Sequence, residues 1–234
     1  MNTSAYIVLA APFFLLWIVL FLKSAGIRTA ILTVSALGAL AGPIGEYWFL
    51  KDYWHPDYLI PLHVGKWRFG IEDYILTFAI VGIAVALFEK LAARKEWGVL
   101  PPVSWKSLIR MDMIGNFGIL LMIFFASIVR MNSIYAVMLI LLISSAALYW
   151  KKPAWIPGVL IIAAGFSIFY WAVFKFVFLP LFPGILERWW NLEALWGVRI
   201  AGVPIEEPLW AFCVALFVGP LYRACSGGTG IRES

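Results

Sequence analysis

Two adjacent carboxylates, Glu206 and Glu207, stand at the entrance to an apolar run that continues to Leu221, and a second acidic pair, Glu72 and Asp73, opens another such run. An ionised carboxylate at membrane depth costs roughly 3 kcal/mol on insertion scales, so groups of this kind usually face a partner or a pocket. Like charges crowded into a low dielectric cannot all ionise, and a carboxyl group that keeps its proton near neutral pH is a general acid. The plainer role is to complement the helix macrodipole, at about 0.3 to 1 kcal/mol per acid. Pro204 and Pro208 also suit a first helical turn. Neighbouring residues on a helix point about 100° apart, so Glu206 and Glu207 cannot share one direction. Glu206 stacks above Trp210, Cys213 and Phe217, whereas Glu207 heads a face of small residues, Ala211, Val214 and Val218.

The elements that must position these acids are membrane helices. Of 234 residues, 63% are hydrophobic and 13% charged, which marks a polytopic membrane protein. No stretch is polar enough for a soluble catalytic domain, so any chemistry sits inside one compact helical bundle or at its rim. The N-terminal "MNTSAYIVLAAPFFLLWIVLFLK" lacks a positive n-region and reads as a retained helix. Apolar runs predict seven spans, at about 4–22, 29–48, 71–88, 112–129, 133–150, 155–179 and 205–222. The second is interrupted by Gly42, Pro43 and Gly45, with Glu46 following. One alternate set of loops carries eleven Lys and Arg, densest at Lys90, Arg94, Lys95, Lys106 and Arg110, against six in the other. The richer set belongs in the cytoplasm, which predicts an external N-terminus and a cytoplasmic C-terminus in the cell membrane. The net charge of +5 is spread over short loops rather than gathered into a nucleic-acid surface. Cys213 and Cys225 form neither a CxxC motif nor a disulfide framework, and the Gly-rich "CSGGTG" reads as a tail rather than a dinucleotide loop.

The chain aligns with itself at an offset of 134 residues. Asp57 then faces Asn191, Gly70 faces Pro204, Ile71-Glu72-Asp73 faces Ile205-Glu206-Glu207, and Phe78 faces Phe212. A three-helix unit repeated directly in tandem would be inverted, and the fourth span restores its orientation. The expectation is an all-α bundle of two three-helix repeats, 1–90 and 131–234, joined by a basic linker and extra helix at 91–130. Parallel repeats pack about an axis along the membrane normal, so the four acids are expected to converge on one pocket between the halves.

The segment "LWGVRIAGVPIEEPLWAFCVALFVGPLY" resembles the C-terminal half of the membrane-integral lycopene cyclases of carotenoid biosynthesis, which occur as two small subunits or one fused chain. The shared signature is Pro-x-Glu-Glu before an aromatic-rich helix, here Pro204, Ile205, Glu206, Glu207 and Trp210. The first half is similar to the companion unit at Trp54, Asp57, Gly65, Trp67, Glu72 and Asp73, and departs from the second at Gly70. The resemblance implies an intramolecular lyase or isomerase that needs no cofactor and no metal. An acid protonates the terminal alkene of a linear carotenoid, a neighbouring double bond captures the cation to close a β-ionone-type ring, and a base removes a ring proton. It implies Glu206 as first choice of acid, with Glu207, Glu72 and Asp73 as second acid, base and cation stabiliser. Trp210, Phe212, Phe78 and Trp67 would contact substrate, and Asp57 and Asn191 would orient groups above it.

Three other readings compete. A CAAX-type intramembrane protease needs histidines beside its Glu pair, and the two here, His55 and His63, lie in the loop before the third span. An intramembrane prenyltransferase needs paired Asp motifs for magnesium diphosphate, and Asp52 with Asp57 is the single candidate. A non-catalytic isoprenoid carrier would use Asp112 and Lys175 as an ion path. Expected partners are a carotenoid or other long isoprenoid and the lipid bilayer, with no nucleic acid, and a homo-oligomer or other carotenoid-pathway enzymes.

Overall fold

The structure is a computed structural model that describes residues 3–227. The Gly-rich tail beyond residue 227 lies outside the described residues. Among these, seven helices are long and apolar enough to cross a membrane: α1 Ala5–Leu22, α2 Ala25–Asp52, α3 Ile71–Arg94, α4 Trp105–Ile128, α5 Ser133–Lys151, α6 Pro153–Leu181 and α7 Glu206–Cys225. The protein is a multi-pass membrane protein with an all-α bundle.

Two helices form its centre. α3 packs against α1, α2 and α7, while α7 packs against α5, α6 and α3. The buried positions of α3 cover most of its circumference, as hydrophobicity all round the helix requires. Small residues let its neighbours come close. A Cβ at Gly82 would lie 2.2 Å from Ser35 Oγ and from Trp17 Nε1, the pair that joins α1 to α2 by a 2.9 Å hydrogen bond.

Several helix limits differ from the sequence reading, and α3 runs six residues beyond the expected 88 to Arg94. α2 does not end near residue 48 but runs through Gly42, Pro43 and Gly45 to Asp52. A Cβ at Gly42 would lie 2.5 Å from the Asp73 carbonyl oxygen, so the glycine lets α2 lie against the first turn of α3. The same continuity carries Glu46 inside the helix, where it is buried. α4 begins seven residues before the expected position because Ser104 caps it, its hydroxyl accepting from the Ser107 N–H at 3.2 Å.

A small antiparallel hairpin precedes each central helix. β1 Pro61–Val64 pairs with β2 Trp67–Gly70 before α3, and β3 Arg199–Ile200 pairs with β4 Val203–Pro204 before α7. Both turn in two residues, with positive φ at Gly65 in the first and at Ala201 and Gly202 in the second. At this hairpin end the two connecting segments cross. Trp54 pairs antiparallel with Trp190, the His55 N–H donates to the Trp189 carbonyl at 2.6 Å, and the Asn191 N–H donates to the Tyr53 carbonyl at 2.8 Å. At the opposite end α3 and α7 are joined by a buried ion pair, with Arg223 Nη2 2.5 Å from Glu89 Oε2. Arg223 also donates to the Trp97 carbonyl at 2.9 Å and the Gly98 carbonyl at 3.2 Å, so its charge is well bonded.

Candidate functional site

All four acids of the two pairs are buried at the hairpin end, on the first turns of α3 and α7. The two members of each pair diverge, as a rotation of about 100° per residue dictates. The first member turns back to the loop. Glu72 Oε1 accepts from the Leu59 N–H at 2.6 Å, and Glu206 Oε1 accepts from the Trp196 N–H at 2.8 Å and from the Tyr135 hydroxyl at 2.9 Å. Each keeps its other oxygen, Oε2, buried and without a protein partner. Glu206 lines a cavity of about 90 Å³ with Leu192, Leu195, Gly197, Val198, Arg199 and Pro204. That is room for a few waters and far too little for a ring.

The second member points into the bundle. Asp73 accepts from the Tyr6 hydroxyl and from the Gly70 N–H, each at 2.6 Å, and its carboxyl group meets that of Glu46. Glu46 in turn accepts from Trp54 Nε1 at 3.1 Å. Tyr58 stands beside this pair. Burial above all, then the Glu46 and Asp73 carboxylates, pushes its phenol well above the ordinary tyrosine range, so it stays a neutral hydroxyl. Glu207 accepts from the Tyr53 hydroxyl, from the Tyr170 hydroxyl at 2.9 Å and from Trp190 Nε1 at 2.7 Å. Burial, followed by the neighbouring Glu207 carboxylate, likewise raises the Tyr53 phenol and keeps it a donor.

The four acids therefore do not share one pocket, contrary to the expectation from the repeat. They form two clusters, one about Glu46 and Asp73 and one about Glu207, each with its own donors. Indoles separate and connect them: Trp54, which donates to Glu46, and Trp190, which donates to Glu207, have ring centroids 5.3 Å apart. Tyr53 belongs to the segment after α2 yet bonds Glu207 at the start of α7, so the second cluster is completed from the first half.

The remaining candidates are scattered around these clusters. Trp210 is half-buried with its ring 5.8 Å from Tyr170, next to Glu207. Phe212 is half-buried at the edge of the core. Phe78 lies 4.8 Å from Trp17, further along α3 from Asp73. Trp67 is on the hairpin, packed on Phe69 at 4.9 Å and Tyr47 at 6.3 Å, and takes no part in either cluster. Asp57 accepts from Trp189 Nε1 at 3.4 Å, and Asn191 donates to the Asp52 carbonyl at 3.3 Å, so both brace the crossing segments. Asp52 caps α5, its carboxylate accepting from the Ser133 N–H at 3.1 Å and from the Ser133 hydroxyl at 2.5 Å. It is spent on structure rather than paired with Asp57 for diphosphate. The larger cavity, an apolar groove of about 650 Å³ that includes Leu142, Ser145, Tyr149 and Trp150, lies toward the far end of α5 and contains no carboxyl group. Acid chemistry follows the carboxyl groups rather than the larger volume.

Residues 132–225 match the family model described as Lycopene cyclase. That match supports assignment to the lycopene cyclase family. The stretch holds α5, α6 and α7, and with them Glu206, Glu207, Tyr135, Tyr170 and Trp190. The Glu46–Asp73 cluster lies outside it. Searches of curated proteins and of solved structures give no match. Sequence reasoning missed Glu46 and the tyrosine donors Tyr6, Tyr53, Tyr135 and Tyr170. Glu46 lies inside the second predicted span, 29–48, but the Gly42, Pro43 and Gly45 before it give no sign that the helix runs on unbroken and buries it. The tyrosines carry no local signal, because membrane helices are commonly rich in aromatics at their ends.

Proposed function

We propose that the protein cyclises the ends of a linear carotenoid, lycopene, to β-ionone-type rings by proton-initiated, non-redox ring closure. The observation that carries this reading is the Glu207 carboxylate, buried among aromatic rings on the first turn of α7, inside the stretch that matches the lycopene cyclase model. A carboxylate that accepts three hydrogen bonds is suited to stabilise a carbocation and to take up the ring proton. The surrounding faces of Tyr170, Trp190 and Trp210 suit a delocalised cation as well. Glu206, with one buried oxygen free beside the small cavity, is the acid through which a proton enters from water at the hairpin end. In the first half, Glu72 and Asp73 play the corresponding parts. Glu46 joins them, its buried carboxyl group facing that of Asp73. The halves 1–90 and 131–234 act as two three-helix repeats, with 91–130 as connector. The hairpin end faces the outside of the cell membrane, and the N-terminus is external and the C-terminus cytoplasmic.

Protonation and deprotonation leave the product isomeric with the substrate. When membranes carrying the protein convert added, unlabelled lycopene in deuterated water, each ring closed should therefore gain one deuterium, which mass spectrometry of the separated pigments reads. Ring formation without deuterium uptake, or lycopene left untouched at full protein level, would sink the reading.

A further inference from the structure

Helix α4 is the exception in the bundle: 11% of its span is buried, against 67% of α3. Its packed side, at Ser107, Met111 and Met122, lies toward α5 and α7. The opposite side carries Ile109, Met113, Asn116, Leu120 and Ile123, spaced alternately four and three residues apart, which is a heptad seam. The four apolar members are 49%, 65%, 63% and 42% exposed. Apolar seams arise readily in an apolar helix, but Asn116 does not belong in lipid. Arg110 donates to the carbonyl of Cys225 at 2.9 Å, which sets the level where α7 ends. Asn116 lies six residues further into the span, about 9 Å. Among the described residues its side chain makes one hydrogen bond, to Asp112 Oδ2 at 3.0 Å. The amide carbonyl and second N–H are left facing hydrocarbon, and a polar group so placed is normally satisfied by another helix.

We infer that α4 is the contact helix of a homodimer, in which two copies meet about a two-fold axis along the membrane normal and their Asn116 amides hydrogen-bond across it. Copies inserted the same way place Asn116 opposite Asn116 at one depth, and an amide is both donor and acceptor, so the contact is self-complementary. A different partner would need a polar group at that same depth. One asparagine in an otherwise apolar seam is also the pattern that fixes register in paired parallel helices.

The test is cysteine cross-linking in the membranes of the expressing cells. Cys213 and Cys225 are replaced by alanine, and single cysteines are placed at Met113 or Ile123 in the seam, or at Phe117 outside it. Oxidation should convert the Met113→Cys and Ile123→Cys chains to a product of twice 26.3 kDa and leave Phe117→Cys monomeric. Asn116→Val should weaken reversible association about threefold or more. Monomer at both seam positions, equal cross-linking at Phe117, or a product of any other mass overturns the proposal.

Discussion

The two halves solve one problem in two ways. Asp73 and Glu207 occupy the same place, second residue of an acidic pair on the first turn of a central helix, and both point into the bundle. In the first half the buried carboxyl group meets another carboxyl group, Glu46, with Tyr6 and Trp54 supplying donors. In the second it is alone among three neutral donors, two of them tyrosines on separate elements. A carboxyl pair suits storage of a proton, whereas a lone carboxylate held by three neutral donors suits an anion set against a cation, ready to take its proton. Equal sequence position thus need not mean equal chemistry, because the neighbours come from other helices.

The largest expected effect divides the clusters. Glu207→Gln keeps the shape but removes the anion, and should lower cyclisation by about a hundredfold or more at unchanged protein level. If Asp73→Asn and Glu46→Gln cause comparable losses, the halves form one functional unit. Rates within threefold of the parent would confine the chemistry to the second half. Pigment chromatography from the lycopene-accumulating host reads both results.

A change of similar free energy probes the far end. Arg223→Met leaves Glu89 buried without its partner and should cost about 3 to 5 kcal/mol of stability, while Glu89→Leu with Arg223→Met should recover most of it. Unfolding of the purified protein in detergent measures this. A single variant as stable as the parent would show that α3 and α7 are held together chiefly by apolar packing.

Smaller effects sharpen the picture of Glu207. Tyr53→Phe and Tyr170→Phe each delete one donor to it and should slow cyclisation about tenfold, as loss of roughly 1.4 kcal/mol predicts. Equal losses would mean that the donor borrowed from the first half matters as much as the one from α6. The smallest contrast lies in the departure between Gly70 and Pro204. A Cβ at Gly70 would fall 2.2 Å from the Tyr58 ring and 2.4 Å from Glu72 Oε2, so Gly70→Ala should cost about 1 to 3 kcal/mol. Pro204→Ala should cost less, and the reverse order would contradict the packing of the first hairpin.

Much of this was legible in the chain. Hydropathy located seven spans, since burial in lipid demands about twenty apolar residues regardless of the neighbours. The acid pairs stood out because charge at membrane depth is expensive. The Pro-x-Glu-Glu signature pointed to the family that residues 132–225 match. Helical rotation also required that Glu206 and Glu207 diverge. What the chain did not reveal was which member of each pair turns inward, that Glu46 stays helical and reaches Asp73, or that Tyr53 crosses to Glu207. Hydropathy and helical period are properties of neighbouring residues. The Tyr53–Glu207 bond spans 154 positions and depends on how α2, α3, α6 and α7 pack, with glycines such as Gly42 setting how closely they approach, so the tertiary structure alone decided it.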